Sequence, residues 1–463
     1  MTLIKSISGI RGTIGGKPED NLTPLDAVRF ASAYGTWLKS TNDSCKVVLG
    51  RDARVSGQMI SDIVSATLIG LGIDVVDLGL STTPTVEMAV VFEQAQGGII
   101  LTASHNPAQW NALKLLNDKG EFISGEAGQK ILDIAAKNDY DYATYDQLGS
   151  ITQNDTYIDK HIDAILDLPY VDVELIKSKN FKVAIDCVNS TGGIALPKLL
   201  AKLGVSNVKE LYCEPNGLFP HNPEPLAEHL TELSSVVKNE GYDLGITVDP
   251  DVDRLAFVSE DGEMFGEEYT LVAVADFMLT VKPGNTVSNL SSSRALRDVT
   301  LAHGKEYFAS AVGEVNVVTK MKEVGATIGG EGNGGIILPE LHYGRDSLVG
   351  IALFLTHLAQ KEMKMSELKA TYPAYFISKN KIQLTPEIDV DAILKSIEKH
   401  YAAEEVTTID GVKIDFESGW VHLRKSNTEP IIRVYSESKN EEEANKLAQS
   451  VVDIVEQVSA QSV

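Results

Sequence analysis

The feature that most constrains this chain is a repeated alternation. Short apolar runs that read as strands are followed by polar loops and then by segments whose apolar residues recur at helical spacing. Residues 46–49 are such a run, followed by the loop GRDARVSG (50–57) and by the helical pattern MISDIVSATLIGLG (59–72), closed by glycine. IDVVDLG (73–79) gives a second strand, TVEMAVVFEQAQ (85–96) a second helix, and GIILTASHNP (98–107) a third strand running into a polar loop. The same order returns over residues 181–254, with a Pro-rich insertion between Pro215 and Pro225, and in shorter form over 285–335. A period of roughly 40 to 60 residues is long for a solenoid. Strands alternating with helices instead predict α/β architecture: three related three-layer α/β domains with mixed, largely parallel sheets. In such sheets ligands sit beyond the carboxyl ends of strands. TASHNP (102–107), DPDVDR (249–254) and GGEGNGG (329–335) take the loop after the last strand of their copies, so they are expected to share a central cleft.

Near residues 371–380 the rhythm stops. An acidic helix at 392–400, strands at 412–416, 419–426 and 430–437, and a terminal helix at 441–458 predict a smaller C-terminal α+β domain, its helices packed on an antiparallel sheet. The expected domains are therefore 1–150, 151–256, 257–370 and 371–463. The chain carries 41 Lys plus Arg against 65 Asp plus Glu, a net charge of −24, with no basic patch. That charge excludes nucleic acid and anionic membrane as partners. Cys45, Cys187 and Cys213 are odd in number and scattered, which argues against a disulfide framework and fits a cytoplasmic setting. Residues 1–12 lack the apolar core of a signal peptide, and no apolar stretch approaches the ~18 residues of a membrane span.

Four segments carry chemistry. Asp249, Asp251 and Asp253 alternate along DPDVDR, so on an extended segment their carboxylates would converge, and converging anions need a hard divalent cation, with magnesium the natural choice. Glu260 stands where a calcium loop wants its last ligand, but Arg254 takes the place of that loop's glycine and β-like runs replace its helices. Ser104 follows an apolar strand, a placement that exposes a hydroxyl for nucleophilic work; a helix N-cap explains it equally well. Adjacent His105 is not expected to form a triad with it, and the glycines of an acyl-transfer elbow are missing. In GGEGNGG the glycines permit close backbone approach while Glu331 and Asn333 suit sugar hydroxyls; a plain glycine turn competes with that reading. RKSNTEP (424–430), followed by Arg433, brings cations, hydroxyls and loop N–H groups together in a set that matches phosphate.

In this order, TASHNP, DPDVDR, GGEGNGG and RKSNTEP resemble the α-D-phosphohexomutases, and the resemblance extends over the whole chain, including GIRG (9–12) and NGLFPHNPEPL (216–226). It implies an isomerase, an intramolecular phosphotransferase that moves a phosphoryl group between the 6- and 1-positions of a hexose phosphate through a sugar 1,6-bisphosphate. Ser104 is then a phosphoserine. Mg2+ is held by Asp249, Asp251, Asp253 and a phosphate oxygen on Ser104. Arg254, Lys114, His105 and Arg11 lie near the moving phosphate, with Lys114 assisting proton transfer. Glu331 and Asn333 read the sugar, and Arg424, Ser426, Asn427, Thr428 and Arg433 hold the phosphate that is not reacting. The four domains bear, in order, the phosphoserine, the metal, the sugar loop and the phosphate clamp. The sugar loop lacks the Ser-Gly-His continuation of better-known members, and Gly332, Asn333, Gly334 and Gly335 stand there instead. That form resembles the loops of archaeal-type phosphoglucosamine mutases. It implies conversion of glucosamine 6-phosphate to glucosamine 1-phosphate, with phosphomannomutase/phosphoglucomutase chemistry as the alternative, in a monomer or homodimer. A serine-phosphoenzyme phosphatase and a non-catalytic sugar-phosphate sensor are the more distant readings.

Overall fold

In the computed structural model of the chain, residues 2–6, 9–383, 390–425 and 431–461 are described. They fall into two compact units, Met1–Phe277 with Asn333–Leu368, and Met278–Gly332 with Lys369–Val463. Among the described residues no helix is long and apolar enough to cross a membrane.

The first unit opens with strands β1 (Ile4–Ser6), β2 (Gly9–Thr13), β3 (Lys46–Arg51), β4 (Asp74–Leu80), β5 (Gly97–Leu101), β6 (Trp110–Leu116) and β7 (Ile151–Gln153), in the sheet order β1-β2-β6-β5-β3-β4-β7. β3 runs parallel to β4 and β5, whereas β2/β6 and β5/β6 are antiparallel. The period of two explains why both faces are covered. Val47, Leu49, Val75 and Ile99 join the core formed with helices Pro24–Lys39, Gly57–Gly70 and Gly125–Lys137, while Val48, Val76 and Ile100 face the opposite core with helix Thr83–Phe92. Thr82 caps that last helix through its hydroxyl, which accepts from Thr85 N at 3.1 Å.

A second sheet of β8 (Lys182–Asp186), β9 (Asn207–Leu211), β10 (Leu244–Val248) and β11 (Leu255–Ser259) has the order β11-β10-β8-β9 and is parallel except for the β10/β11 hairpin. Ala184, Leu233, Val237 and Val258 pack beneath it. The unit is completed by the buried helix Ser347–Lys361, whose N-terminus is capped by Asp346 Oδ1 accepting from Leu348 N at 2.8 Å. The expected mixed sheets are present, and two of the departures from parallel pairing fall where the chemistry lies. β5 turns back into β6 through TASHNP, and β10 turns back into β11 through DPDVDR.

In the second unit, strand Asn285–Asn289 pairs in parallel with both Tyr307–Ser310 and Ala326–Glu331. Helices Arg294–Ala302 and Glu314–Val324 accompany these strands, and the unit also holds the expected antiparallel sheet with two helices, Val390–His400 and Glu441–Gln461, over a core that includes Ile393, Ile397, Val421, Ile432 and Val451. Strand Phe376–Gln383, in the stretch read from sequence as the end of the rhythm, pairs along its length with Ile431–Ser438.

Candidate active site

The β5–β6 turn and the β10–β11 turn meet inside the first unit. Ser104 Oγ donates to Asp249 Oδ2 at 2.6 Å, and Ser104 N donates to Thr102 Oγ1 at 2.9 Å. No helix starts at this serine: β6 follows, and Ser104 itself has φ +49°, left-handed backbone that a residue with a Cβ seldom adopts. The N-cap reading is thereby set aside. His105, expected near the moving phosphate but not in a triad with Ser104, places Nδ1 at 3.4 Å from its Oγ and Nε2 at 3.5 Å from Arg254 Nη2. Burial, reinforced by the Arg254 charge, lowers its pKa to about 2, so the imidazole is neutral.

Asp249, Asp251 and Asp253 are fully buried, and one oxygen of each lies within 4.8 Å of the others. They converge by a route other than the extended one expected. Carboxylates at i, i+2 and i+4 of a strand share a face but stand well apart. Here the chain turns, Val252 N donates to Asp249 O at 3.1 Å, and Val252 takes φ +65°. Asp249 Oδ1 then accepts from the N–H groups of Asp253 (3.2 Å) and Arg254 (3.1 Å). Lys114 Nζ donates to Asp251 Oδ2 at 2.7 Å and lies 3.4 Å from Asp253 Oδ2, and Arg345 Nη2 donates to Asp253 Oδ2 at 2.7 Å. Thr83, at the start of a helix, donates both N–H and hydroxyl to Asp251, at 2.8 and 2.6 Å. Burial pushes the Asp249 carboxyl well above the usual range, and the charges of Asp251 and Asp253 push it further. Burial also acts to raise Asp251, but Lys114 overrides it and holds that group low.

Asp251 Oδ1 and Asp253 Oδ1 are buried with no hydrogen-bond partner among the described residues. Two orphaned carboxylate oxygens beside a third carboxylate are what a hard divalent cation would satisfy, so the donor set fits a metal. Glu260 is elsewhere, taking hydrogen bonds from Ser366, which removes the calcium-loop pattern. Arg254 Nη1 donates to Glu224 Oε1 at 3.0 Å, and Nε has no hydrogen-bond partner among the described residues. Arg11 sits on β2 opposite Ala112 of β6, and among the described residues no hydrogen bond or ion pair joins it to Ser104 or to the aspartates.

In the second unit, Gly329–Glu331 belong to strand Ala326–Glu331 rather than to a loop. Glu331 Oε1 accepts from Asn289 Nδ2 (2.9 Å) and Gly313 N (3.1 Å). Asn333, in the first unit, accepts from Gly335 N through Oδ1 at 3.2 Å. Arg424 and Arg433 are register partners on adjacent strands, and Arg424 Nη1 stands 3.6 Å from Asp410. Ser426, Asn427 and Thr428 lie outside the described residues.

Thr83, Arg345 and the pair Asp52–Arg54 were missed in the sequence. The tripeptide Gly-Arg-Asp occurs twice, at 50–52 and 344–346, and both copies border this site; that recurrence is the signal that could have found two of them.

Comparison with known proteins gives one answer over the full length. Profiles of phosphoglucomutase/phosphomannomutase match in four successive pieces: α/β/α domain I over residues 3–141, domain II over 159–262, domain III over 266–375 and the C-terminal domain over 382–454. A phosphoglucomutase/phosphomannomutase of Thermococcus kodakarensis is 35% identical over 453 residues, covering 96% of this chain and 98% of that protein. A phosphoglucosamine/phosphogalactosamine mutase of Sulfurisphaera tokodaii is 32% identical over 458 residues, covering 97% and 98%. A crystal structure of a phosphoglucomutase/phosphomannomutase family protein from Burkholderia thailandensis superposes with a TM-score of 0.84 at 24% identity, covering 99% of this chain and 97% of that one, a likeness of fold.

Proposed function

This chain belongs to the phosphoglucomutase/phosphomannomutase family of α-D-phosphohexomutases, and from that premise we propose that it interconverts the 6- and 1-phosphates of a hexosamine, glucosamine first among them, through a phosphoserine at Ser104. The observation that carries the reading is the 2.6 Å contact between Ser104 Oγ and Asp249, the first member of the buried acid triad. Ser104 gives a phosphoryl group to a sugar oxygen and regains one from the 1,6-bisphosphate, which serves as both intermediate and activator. Lys114 and Arg254 balance charge on the transferring group. Lys114, held as a cation between two carboxylates, can give a proton but is poorly suited to take one. Neutral His105 holds a place beside Ser104 Oγ as a hydrogen-bonding group. Asp249, Asp251, Asp253 and an oxygen on Ser104 would hold Mg2+, which when bound neutralises charge as the phosphoryl group moves.

Glu331 and Asn333 are assigned to the sugar hydroxyls, and Arg424, Arg433 and residues 426–428 to the distal phosphate. Opposed arginines on adjacent strands favour an anion between them. In domain terms, 1–150 carries the phosphoserine, 151–256 the metal, 257–370 the sugar loop and 371–463 the clamp. Three free thiols suit the cytoplasm. The Thermococcus relative supports a second reading, with mannose and glucose phosphates as substrates.

The test is phosphorus NMR of the full chain with Mg2+ and catalytic sugar 1,6-bisphosphate, supplied separately with glucosamine, mannose and glucose 6-phosphates. Formation of 1-phosphate without free phosphate is expected, fastest with glucosamine. A faster mannose or glucose reaction would move the protein to the second reading, and release of inorganic phosphate alone would make it a phosphatase.

A further inference from the structure

We propose that Arg54 is the positioning residue of the serine turn: its buried guanidinium fixes the main chain around Ser104, so that Oγ returns to one place each time it loses or receives a phosphoryl group. The functional half of this inference rests on the mutase reading above.

Residues 102–109 reverse the chain between β5 and β6; 102–104 are buried and the tip at 107–109 is exposed, and carbonyl groups that such a reversal turns inward need donors. Arg54 supplies them. Nη2 donates to Ser104 O (2.5 Å) and Asn106 O (2.7 Å), and Nη1 donates to Pro107 O (2.7 Å) and Trp110 O (2.9 Å). Nε donates to Asp52 Oδ2 at 2.9 Å, and Arg54 N to Asp52 Oδ1 at 3.0 Å. That same Oδ2 accepts from Thr102 Oγ1 at 2.6 Å, and Thr102 Oγ1 accepts the N–H of Ser104. The carbonyl of Ser104 thus ends on Arg54, and its N–H ends on Asp52 through one hydroxyl.

The pair is closed to solvent, with Asp52 0% and Arg54 1% exposed, and the Phe219 ring lies over the guanidinium at 5.1 Å. A planar group with five donors can serve four carbonyls and a carboxylate together, whereas an ammonium with three donors cannot. Ser104 at φ +49° needs such surroundings, because left-handed backbone at a residue with a Cβ persists only where its neighbours over-determine it. Arg54 makes no hydrogen bond to Ser104 Oγ, to the acid triad or to Lys114 among the described residues, so it acts through the backbone rather than on the phosphoryl group.

The test uses the full chain with Mg2+ and the bisphosphate. Arg54→Lys should lower kcat about 100-fold, the cost of roughly an ångström of misplacement, with KM changed less than about threefold. Guanidinium ion added to Arg54→Ala should restore about tenfold of the lost rate. Hydrogen exchange should be faster at amides 103–106 of the Lys variant and unchanged in β8 and β10. Should the Arg54 variants fail to fold, Thr102→Val removes only the hydroxyl link. Faster exchange at the Ser104 amide with lower kcat at unchanged KM would then support the clamp. A folded Arg54→Lys with kcat within twofold of the parent, or exchange at 103–106 equal to the parent, overturns the proposal. A parent that turns over no hexose phosphate refutes the mutase reading instead, and the exchange comparison still decides whether Arg54 holds the turn.

Discussion

Lys114 Nζ lies 2.7 Å from Asp251 Oδ2, a contact between β6 and a turn 137 residues further along the chain. Burial acts to lower the proton affinity of this lysine, but Asp251 and then Asp253 reverse the effect and hold it above its ordinary value. The ammonium therefore offsets the acid triad wherever a metal does not.

Lys114→Met should consequently make stability depend on the metal. Removing one partner of a buried ion pair costs about 3 kcal/mol, and a divalent cation at the triad would recover most of it. Thermal denaturation of the variant with a chelator should show a large loss of melting temperature that shrinks in Mg2+. Turnover should fall by about 100- to 1000-fold, as when a cation facing the transition state is lost. Equal losses of stability with and without Mg2+ would show that the triad is not the metal site.

Ser104→Ala should abolish turnover while leaving the fold intact. The hydroxyl makes a hydrogen bond to Asp249, and the left-handed backbone is no harder for alanine than for serine. A change in stability of about 1 kcal/mol or less is expected. Circular dichroism and phosphorus NMR together check this, and retained 1-phosphate formation would remove Ser104 from the mechanism.

His342 gives the first unit a pH dependence of stability. Its Nε2 lies 3.2 Å from Asp346 and its Nδ1 3.4 Å from Glu87, and His161 shares the same Asp346 oxygen at 2.8 Å. Burial acts to lower the His342 pKa, yet Asp346, hydrogen-bonded to its Nε2, and the neighbouring Glu87 carboxylate raise it to about 10. A raised folded pKa stabilises fully below the ordinary histidine value near 6.5. That stabilisation, of the order of a few kcal/mol, is lost as pH climbs from there through the folded value. Melting temperature should fall across this window, and the slope should be shallower in His342→Gln. Equal slopes would place the titration elsewhere.

Arg433→Ala should act on binding more than on chemistry. Like charges opposite one another weaken a sheet, so the Arg424–Arg433 pair favours an anion. Loss of one charge-assisted partner should raise KM about 10- to 100-fold with kcat within about threefold. Inorganic phosphate should raise the melting temperature of the parent and not of the variant. A variant that loses kcat at constant KM would contradict the clamp.

The sequence was most legible where chemistry is local. TASHNP and DPDVDR carry their reactive groups within a few residues, and alternation placed both at strand ends. Contacts between distant segments were not legible: Arg54 to Ser104, Thr83 to Asp251 and Arg345 to Asp253 join residues 50, 168 and 92 positions apart. No local pattern encodes those distances. Strand Phe376–Gln383 escaped because its half-exposed, lysine-bearing face reads as a linker, although pairing with Ile431–Ser438 satisfies its backbone. The aspartates converge as expected, but through a turn at Val252, since nothing in the residue type announces left-handed backbone at a β-branched position.

The first unit is discontinuous in the chain, which bears on how it is made. A ribosome finishes residues up to Phe277, then must synthesise the whole stretch Met278–Gly332 before the returning segment Asn333–Leu368 emerges. Until then His161 lacks Asp346, and Asp253 lacks Arg345. Closing contacts of such long sequence separation is slow. A nascent chain paused before residue 345 therefore holds its serine and all three acids but not the arginine that pairs with the third, and a truncated product ending there would lack that charge together with the buried helix Ser347–Lys361.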